Sequence, residues 1–118
     1  MPIPNIPEVW PIADISMRPS VTLSDWQAFE VQMRGAASRT RHFVGYCLED
    51  RAGQVSSAVQ EFDARTMRGI ANSGRVYVLR GKAGRNADAE SAWRHWVRLN
   101  GATDLEDISQ YLKRMLKP

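Results

Sequence analysis

Residues 73–84, SGRVYVLRGKAG, set three glycines and three basic side chains around a short apolar run, the ingredients of a phosphate-binding loop. The spacing rejects that chemistry. A Walker loop, G-x-x-x-x-G-K-[ST], needs four spacer residues to wrap the anion and a terminal hydroxyl to hold magnesium. Here six residues separate Gly74 from Gly81, and Ala83 follows Lys82. The dinucleotide fingerprint G-x-G-x-x-G fails as well, because Gly81 and Gly84 have no leading glycine pair and no βαβ unit around them. The glycines read as turn residues, with Gly74 at positive φ in a hairpin and Gly81 and Gly84 carrying the chain off a strand and into a helix.

Metal and nucleophilic chemistry have little to draw on. His42 and His95 are the only histidines, and neither has a second ligand at i+2, i+3 or i+4 to mark a metal site. No metal and no cofactor is expected. His42, close to Arg39 and Arg41, reads as a polar contact in a loop or at a sheet edge. His95 reads as an exposed helix residue on the side away from the tryptophans. Cys47 sits mid-strand among apolar neighbours, where a thiol is inert core rather than activated thiolate. The carboxylates fall at Glu49 and Asp50, at Glu61 and Asp63, and at Asp104, Glu106 and Asp107. These are turns, strand ends and a helix start, where acidic residues belong without catalysis. No acid/base pair stands out, and a non-enzymatic protein is expected.

Binding chemistry is better supplied. Trp93 and Trp96, with Arg94 and Arg98 beside them, have the composition of a base-stacking platform. The two tryptophans also share an apolar stripe with Ala89, Ala92 and Val97, as a helix packed on a sheet does, and the core reading is preferred. The basic residues are the candidate partner-binding set. Arg75, Arg80, Lys82 and Arg85 surround the last strand, Arg94 and Arg98 lie on the helix, and Arg34, Arg39 and Arg41 lie in the first long loop. They could form one positive surface or be distributed, solvated charge.

Hydrophobic periodicity supplies the elements that carry these groups. Phe29, Val31 and Met33 alternate with polar neighbours in WQAFEVQM, a strand that ends in the turn-rich RGAASRT. RHFVGYCLED then puts Val44, Tyr46 and Leu48 on one face and Phe43, Gly45 and Cys47 on the other, with a turn at ED-RAG into QVSSAVQEFD. In that second arm Val55 and Val59 share a face while Phe62 falls opposite, so a bulge or twist is expected near its end. A short strand around Met67–Ile70, a turn at Asn72-Ser73-Gly74 and a strand over Arg75–Leu79 follow. Asn86 then caps a helix with Asp88 and Glu90 in its first turn, ended by Asn100-Gly101. Thr103-Asp104-Leu105-Glu106 has the pattern of a capping box opening a second helix, with Leu105, Ile108, Tyr111, Leu112 and Met115 on one face and Lys113, Arg114 and Lys117 in its last turn.

The chain has 118 residues, 43% hydrophobic and 25% charged, enough for one core and too few for two. Five of the six prolines fall in residues 1–20, which are expected to be an extended proline-rich arm, with residues 21–118 forming a single domain. No apolar run approaches the roughly 20 residues of a membrane-spanning helix. The N-terminus lacks the basic and uninterrupted apolar regions of a signal peptide, and one cysteine permits no internal disulfide. A cytoplasmic protein with no membrane partner is expected. The net charge of +3 is nearly all arginine, with lysine only at Lys82, Lys113 and Lys117. Arginine suits recognition of phosphates and carboxylates, and it is also what a GC-rich genome encodes.

With its SGR-x-Y-x-L-x-G strand leading into a W-x-x-W helix that ends in Asn-Gly, the chain resembles a group of small proteins scattered in proteobacterial genomic islands, plasmids and prophages. The resemblance covers residues 8 to 101. It brings no activity with it, and it implies an accessory protein of mobile elements. Small proteins of that kind act by binding, as inhibitors of host defence, anti-CRISPR proteins among them, or as partners of element-encoded machinery.

The fold class expected is α+β: an antiparallel meander of four or five strands, curved or barrel-like, packed by two C-terminal helices. The function expected is binding, with a protein partner ahead of nucleic acid and with edge-to-edge homodimerisation an even alternative to a monomer.

Overall fold

The computed structural model describes residues 17–112. Most of the proline-rich arm, and the expected second helix beyond Leu112, lie outside the described residues.

The long strand β1 (Ser20–Gln32) organises the molecule. It carries an irregularity between Ser24 and Gln27, where Asp25 takes a φ of 47°. An extra residue in a strand reverses which side chains face which side. Before the bulge Val21 and Leu23 enter one core, after it Trp26 and Ala28 do so, and Phe29 and Val31 turn to a second core on the other face. One strand thereby serves two cores.

β2 (Thr40–Cys47) pairs antiparallel with β1 and forms the expected hairpin with β3 (Ala52–Val55). The alternation reads as expected, with Val44 in one core and Phe43 and Cys47 in the other. The second hairpin arm is two strands rather than one twisted strand. After Val55 the chain leaves the sheet, with the Ser56 amide bonded to the Phe43 carbonyl and the Ser56 hydroxyl accepting from the Phe43 amide. β4 (Val59–Asp63), β5 (Arg68–Ala71) and β6 (Val76–Arg80) then follow, with β5 antiparallel to both β4 and β6.

The expectation of a purely antiparallel meander of four or five strands is corrected here. The described residues contain seven strands in one mixed, open sheet, six of them ordered β3-β2-β1-β6-β5-β4 and the seventh, off this path, paired with β1. β6 lies parallel to the first half of β1, from Ser20 opposite Val76 to Ser24 opposite Arg80. The sheet curls, so that Phe62 of β4 meets Phe43 of β2 edge to face at 5.9 Å, but it does not close into a barrel.

The helix α1 (Ala87–Asn100) begins and ends where expected. The Asn86 side chain accepts from the Ala89 amide, and Gly101 closes the helix at φ 61° with its amide turned back on the last carbonyls. Arg34 lies over that glycine, at the end of the helix where a cation is favoured. α1 packs on the second core, with Ala89, Ala92 and Trp93 against Val31, Val44 and Val55. Gly53 makes this possible: any Cβ there would fall on the Asp88 backbone carbonyl.

The second expected helix is also corrected. Thr103–Asp107 is a strand, β7, antiparallel to the second half of β1, followed by a short 3-10 turn at Ser109–Tyr111. The bulge leaves that half of β1 without β6 beside it, and β7 takes the open edge. Pairing overrides the local capping pattern, and Asp104 sits at φ 56° as the chain enters. Among the described residues no helix is long and apolar enough to cross a membrane.

Candidate functional site

The reactive side chains are held apart. Cys47 is fully buried at the end of β2, in the core of the curled sheet. Burial, with Asp50 and Glu49 close by, pushes its thiol up to about 11, away from nucleophilic use at neutral pH. His42 lies on the same strand but faces α1, so the sheet separates the two. His42 is not the loop or edge residue expected. It is 3% exposed, with Nδ1–H donating to the Ser56 carbonyl at 2.9 Å and Nε2 2.8 Å from the Thr40 hydroxyl. Burial lowers its pKa, the Ser56 contact opposing in part, which keeps the ring neutral at pH 7. Among the described residues no group of three His, Cys, Asp or Glu side chains could hold a metal ion.

Trp93 is buried in the second core, and Trp96 packs half-buried against it. Phe29 stacks on Trp93 at 4.6 Å, Trp93 on Trp96 at 5.3 Å, and Trp96 meets His42 at 4.6 Å. The four rings form a ladder between β1, β2 and α1, and their faces are spent on each other.

The basic candidates do not share one surface. Arg75 is 3% exposed, and its Nε–H donates to the Arg18 carbonyl. It lies beside Tyr77, whose phenol burial raises and Arg75 partly restrains. Arg39 and Arg41 both bind Glu30, at 2.7 Å and 3.0 Å, and Arg39 also reaches Asp104 on β7 at 3.0 Å. Arg85 pairs with Glu90 beside the helix start, raising the guanidinium and lowering the carboxyl. Arg39, Arg41 and Arg75 are thus tied into the fold, while Arg85, though paired, stays exposed. Arg80 and Lys82 are exposed where β6 ends.

Arg94 and Arg98 come together with a residue that the sequence reading passed over. The helix places them four residues apart on its outer face, and Arg51, in the β2–β3 turn, faces them across a groove of about 460 Å³. Ser91 and His95 line the same groove, and Asp88 is its only carboxylate. Among the described residues Arg51, Arg94 and Arg98 form no ion pair. Like charges at i and i+4 cost a helix roughly 0.2–0.5 kcal/mol. Arg51 adds a backbone cost, since it holds a φ of 54° in the left-handed region. Within the helix part of this cost is offset, since Arg94 is attracted to Glu90 and Arg98 lies in the last turn, where a cation is favoured. His95, expected simply exposed, is a partly buried wall of this groove.

On the other side of Arg94 and Arg98 is a second pocket, of about 350 Å³, lined by Trp93, Val97 and Leu105. Leu105 belongs to β7 and is 45% exposed. The only signal for Arg51 was an arginine in the turn of a hairpin. Leu105 was hidden by the capping-box reading. Among the described residues β4 pairs with β5 alone at one end of the sheet and β3 with β2 alone at the other.

No protein-family model, no curated protein sequence and no solved structure matches the chain.

Proposed function

We propose that this chain is a non-enzymatic binding protein that acts on a protein partner through the outer face of α1. The observation that carries this reading is the convergence of Arg51, Arg94 and Arg98, which form no ion pair among the described residues, on one groove next to an apolar pocket. Interface centres combine arginine and large apolar side chains in this way. The resemblance to proteins of mobile elements gives the reading its setting: a cytoplasmic accessory protein, such as an inhibitor of a host defence complex of the anti-CRISPR kind.

The test is affinity capture of the tagged chain from the lysate of its host, with and without nuclease, read by mass spectrometry and nucleic-acid extraction. A nuclease-resistant protein held in fixed proportion supports the reading. Nucleic acid released by nuclease or by raised salt, with no protein left behind, overturns it in favour of a nucleic-acid-binding module.

A further inference from the structure

The groove and the apolar pocket share two residues, Arg94 and Arg98, which form a ridge along α1 between them. To one side lie Arg51, Ser91 and His95, to the other Trp93, Val97 and Leu105. An extended chain projects successive side chains to opposite sides. Laid along the ridge, it would send one set towards guanidinium groups and the next into an apolar pocket. The stretch from Ser91 to Arg98 spans about 10 Å of helix, the length of roughly three extended residues.

From this geometry, and resting on the protein-binding reading above, we infer that α1 receives a short extended segment of the partner in which acidic and large apolar residues alternate. Its carboxylates pair with Arg51, Arg94 and Arg98, and its apolar side chain packs on Leu105, Trp93 and Val97. Arginine forks bind carboxylates in two-point fashion, and the pairing relieves the mutual repulsion of the cluster.

A nucleic-acid backbone fits this surface less well. Single strands are held by aromatic faces interleaved with cations, and here the faces of Phe29, Trp93, Trp96 and His42 are spent on one another. Beside the ridge, β7 exposes Asp104, Glu106 and Asp107 to solvent. Arg39 answers Asp104 and approaches Glu106, but a phosphate backbone running past the ridge would still meet an acidic strand. The cationic stretch is short and bounded, as a segment of a few residues requires.

The experiment is selection of a random peptide library on the immobilised full chain, followed by anisotropy titration of the recovered peptides, hexaglutamate, and short single-stranded and duplex DNA. The variants are R94E/R98E, R51E and L105D, all at exposed positions, each checked for an unchanged thermal melt. Expected are peptides that alternate Asp or Glu with large apolar residues, losing at least about tenfold in affinity on R94E/R98E. Replacing their acids with lysine should restore binding to R94E/R98E. L105D should weaken the selected peptides and leave hexaglutamate unchanged. Recovery of no peptides, of peptides without acidic enrichment, or of peptides bound equally by R94E/R98E overturns the inference. So does DNA that binds more tightly than every recovered peptide. If the partner captured from lysate is held equally well by R94E/R98E, this surface is wrong and the protein-binding reading survives; absence of any nuclease-resistant partner defeats that reading itself.

Discussion

The Arg39 guanidinium joins Glu30 on β1, at 2.7 Å, to Asp104 on β7, at 3.0 Å, and its Nη2 also donates to the backbone carbonyls of both residues. One side chain thus fastens the last strand of the sheet to its central one. β7 buries none of its own residues, and besides Arg39 it is held by its backbone pairing with β1 and by the Gln27 amide donating to the Asp107 carboxylate.

Arg39→Ala is therefore expected to loosen β7 selectively. Hydrogen exchange should quicken at the β7 amides while protection of β1–β2 pairs such as Ala28 with Phe43 is retained. Arg39→Lys should recover only part of the effect, because a single ammonium cannot fork between two strands. Uniform loss of protection across the sheet would show that Arg39 supports the whole fold instead.

Gly53 sets the distance between sheet and helix. Because a Cβ there would strike the Asp88 backbone carbonyl, which no rotamer change can move aside, α1 must shift away from β3. Gly53→Ala is expected to cost about 1–3 kcal/mol in urea unfolding, the usual range for overpacking. Asn86→Ala, which removes only the helix cap, should cost about 1 kcal/mol. A Gly53→Ala variant as stable as the wild type would mean that the helix is not seated on β3 as described.

How far the sequence discloses this structure depends on the range of the interaction. The β2–β3 hairpin and its two faces follow from alternation at Phe43 and Val44, and α1 follows from Asn86, Asp88 and Gly101, all within a few residues of what they determine. The parallel contact of Ser20 with Val76 has no local signature, and neither does the bulge at Asp25 that reverses the faces of β1. At Thr103–Asp107 the local signal pointed to a helix and lost to pairing with β1. For the candidate site, Arg94 and Arg98 were legible as neighbours on a helix. That Arg39 reaches β7, that Arg75 is buried against Arg18, and that Arg51 faces the ridge depends on contacts between distant parts of the chain, whereas the Arg85–Glu90 pair spans only five residues.

Cys47 should behave as core. With its thiol pushed up to about 11, chiefly by burial, only a trace is thiolate at pH 8. Alkylation by iodoacetamide under native conditions should be more than about a hundredfold slower than in urea, where the thiol returns to its ordinary range. Equal rates in the two conditions would place Cys47 at the surface and reopen a chemical role for it.

His42 makes stability depend on pH at mild acidity. Its folded pKa is lowered by burial, with the bond to the Ser56 carbonyl opposing in part, so between the folded and unfolded values the unfolded chain binds the extra proton. Stability is then fully present above about pH 6.5 and falls as the pH drops towards the folded value, with a slope approaching about 1.4 kcal/mol per pH unit for one proton. Glu49 acts in a lower window. Burial alone would raise its carboxyl, but the Thr22 amide and hydroxyl bind it at 2.7 Å and 2.8 Å and leave it lowered, so its contribution is lost only as the pH falls below the ordinary carboxylate range. Urea unfolding between pH 5 and 7.5 isolates the histidine. The wild type should lose stability across that interval, and His42→Gln, which keeps hydrogen-bonding groups without a titrating ring, should give a nearly flat profile at lower overall stability. Parallel slopes in the two proteins would assign the proton to another group and remove His42 as the cause.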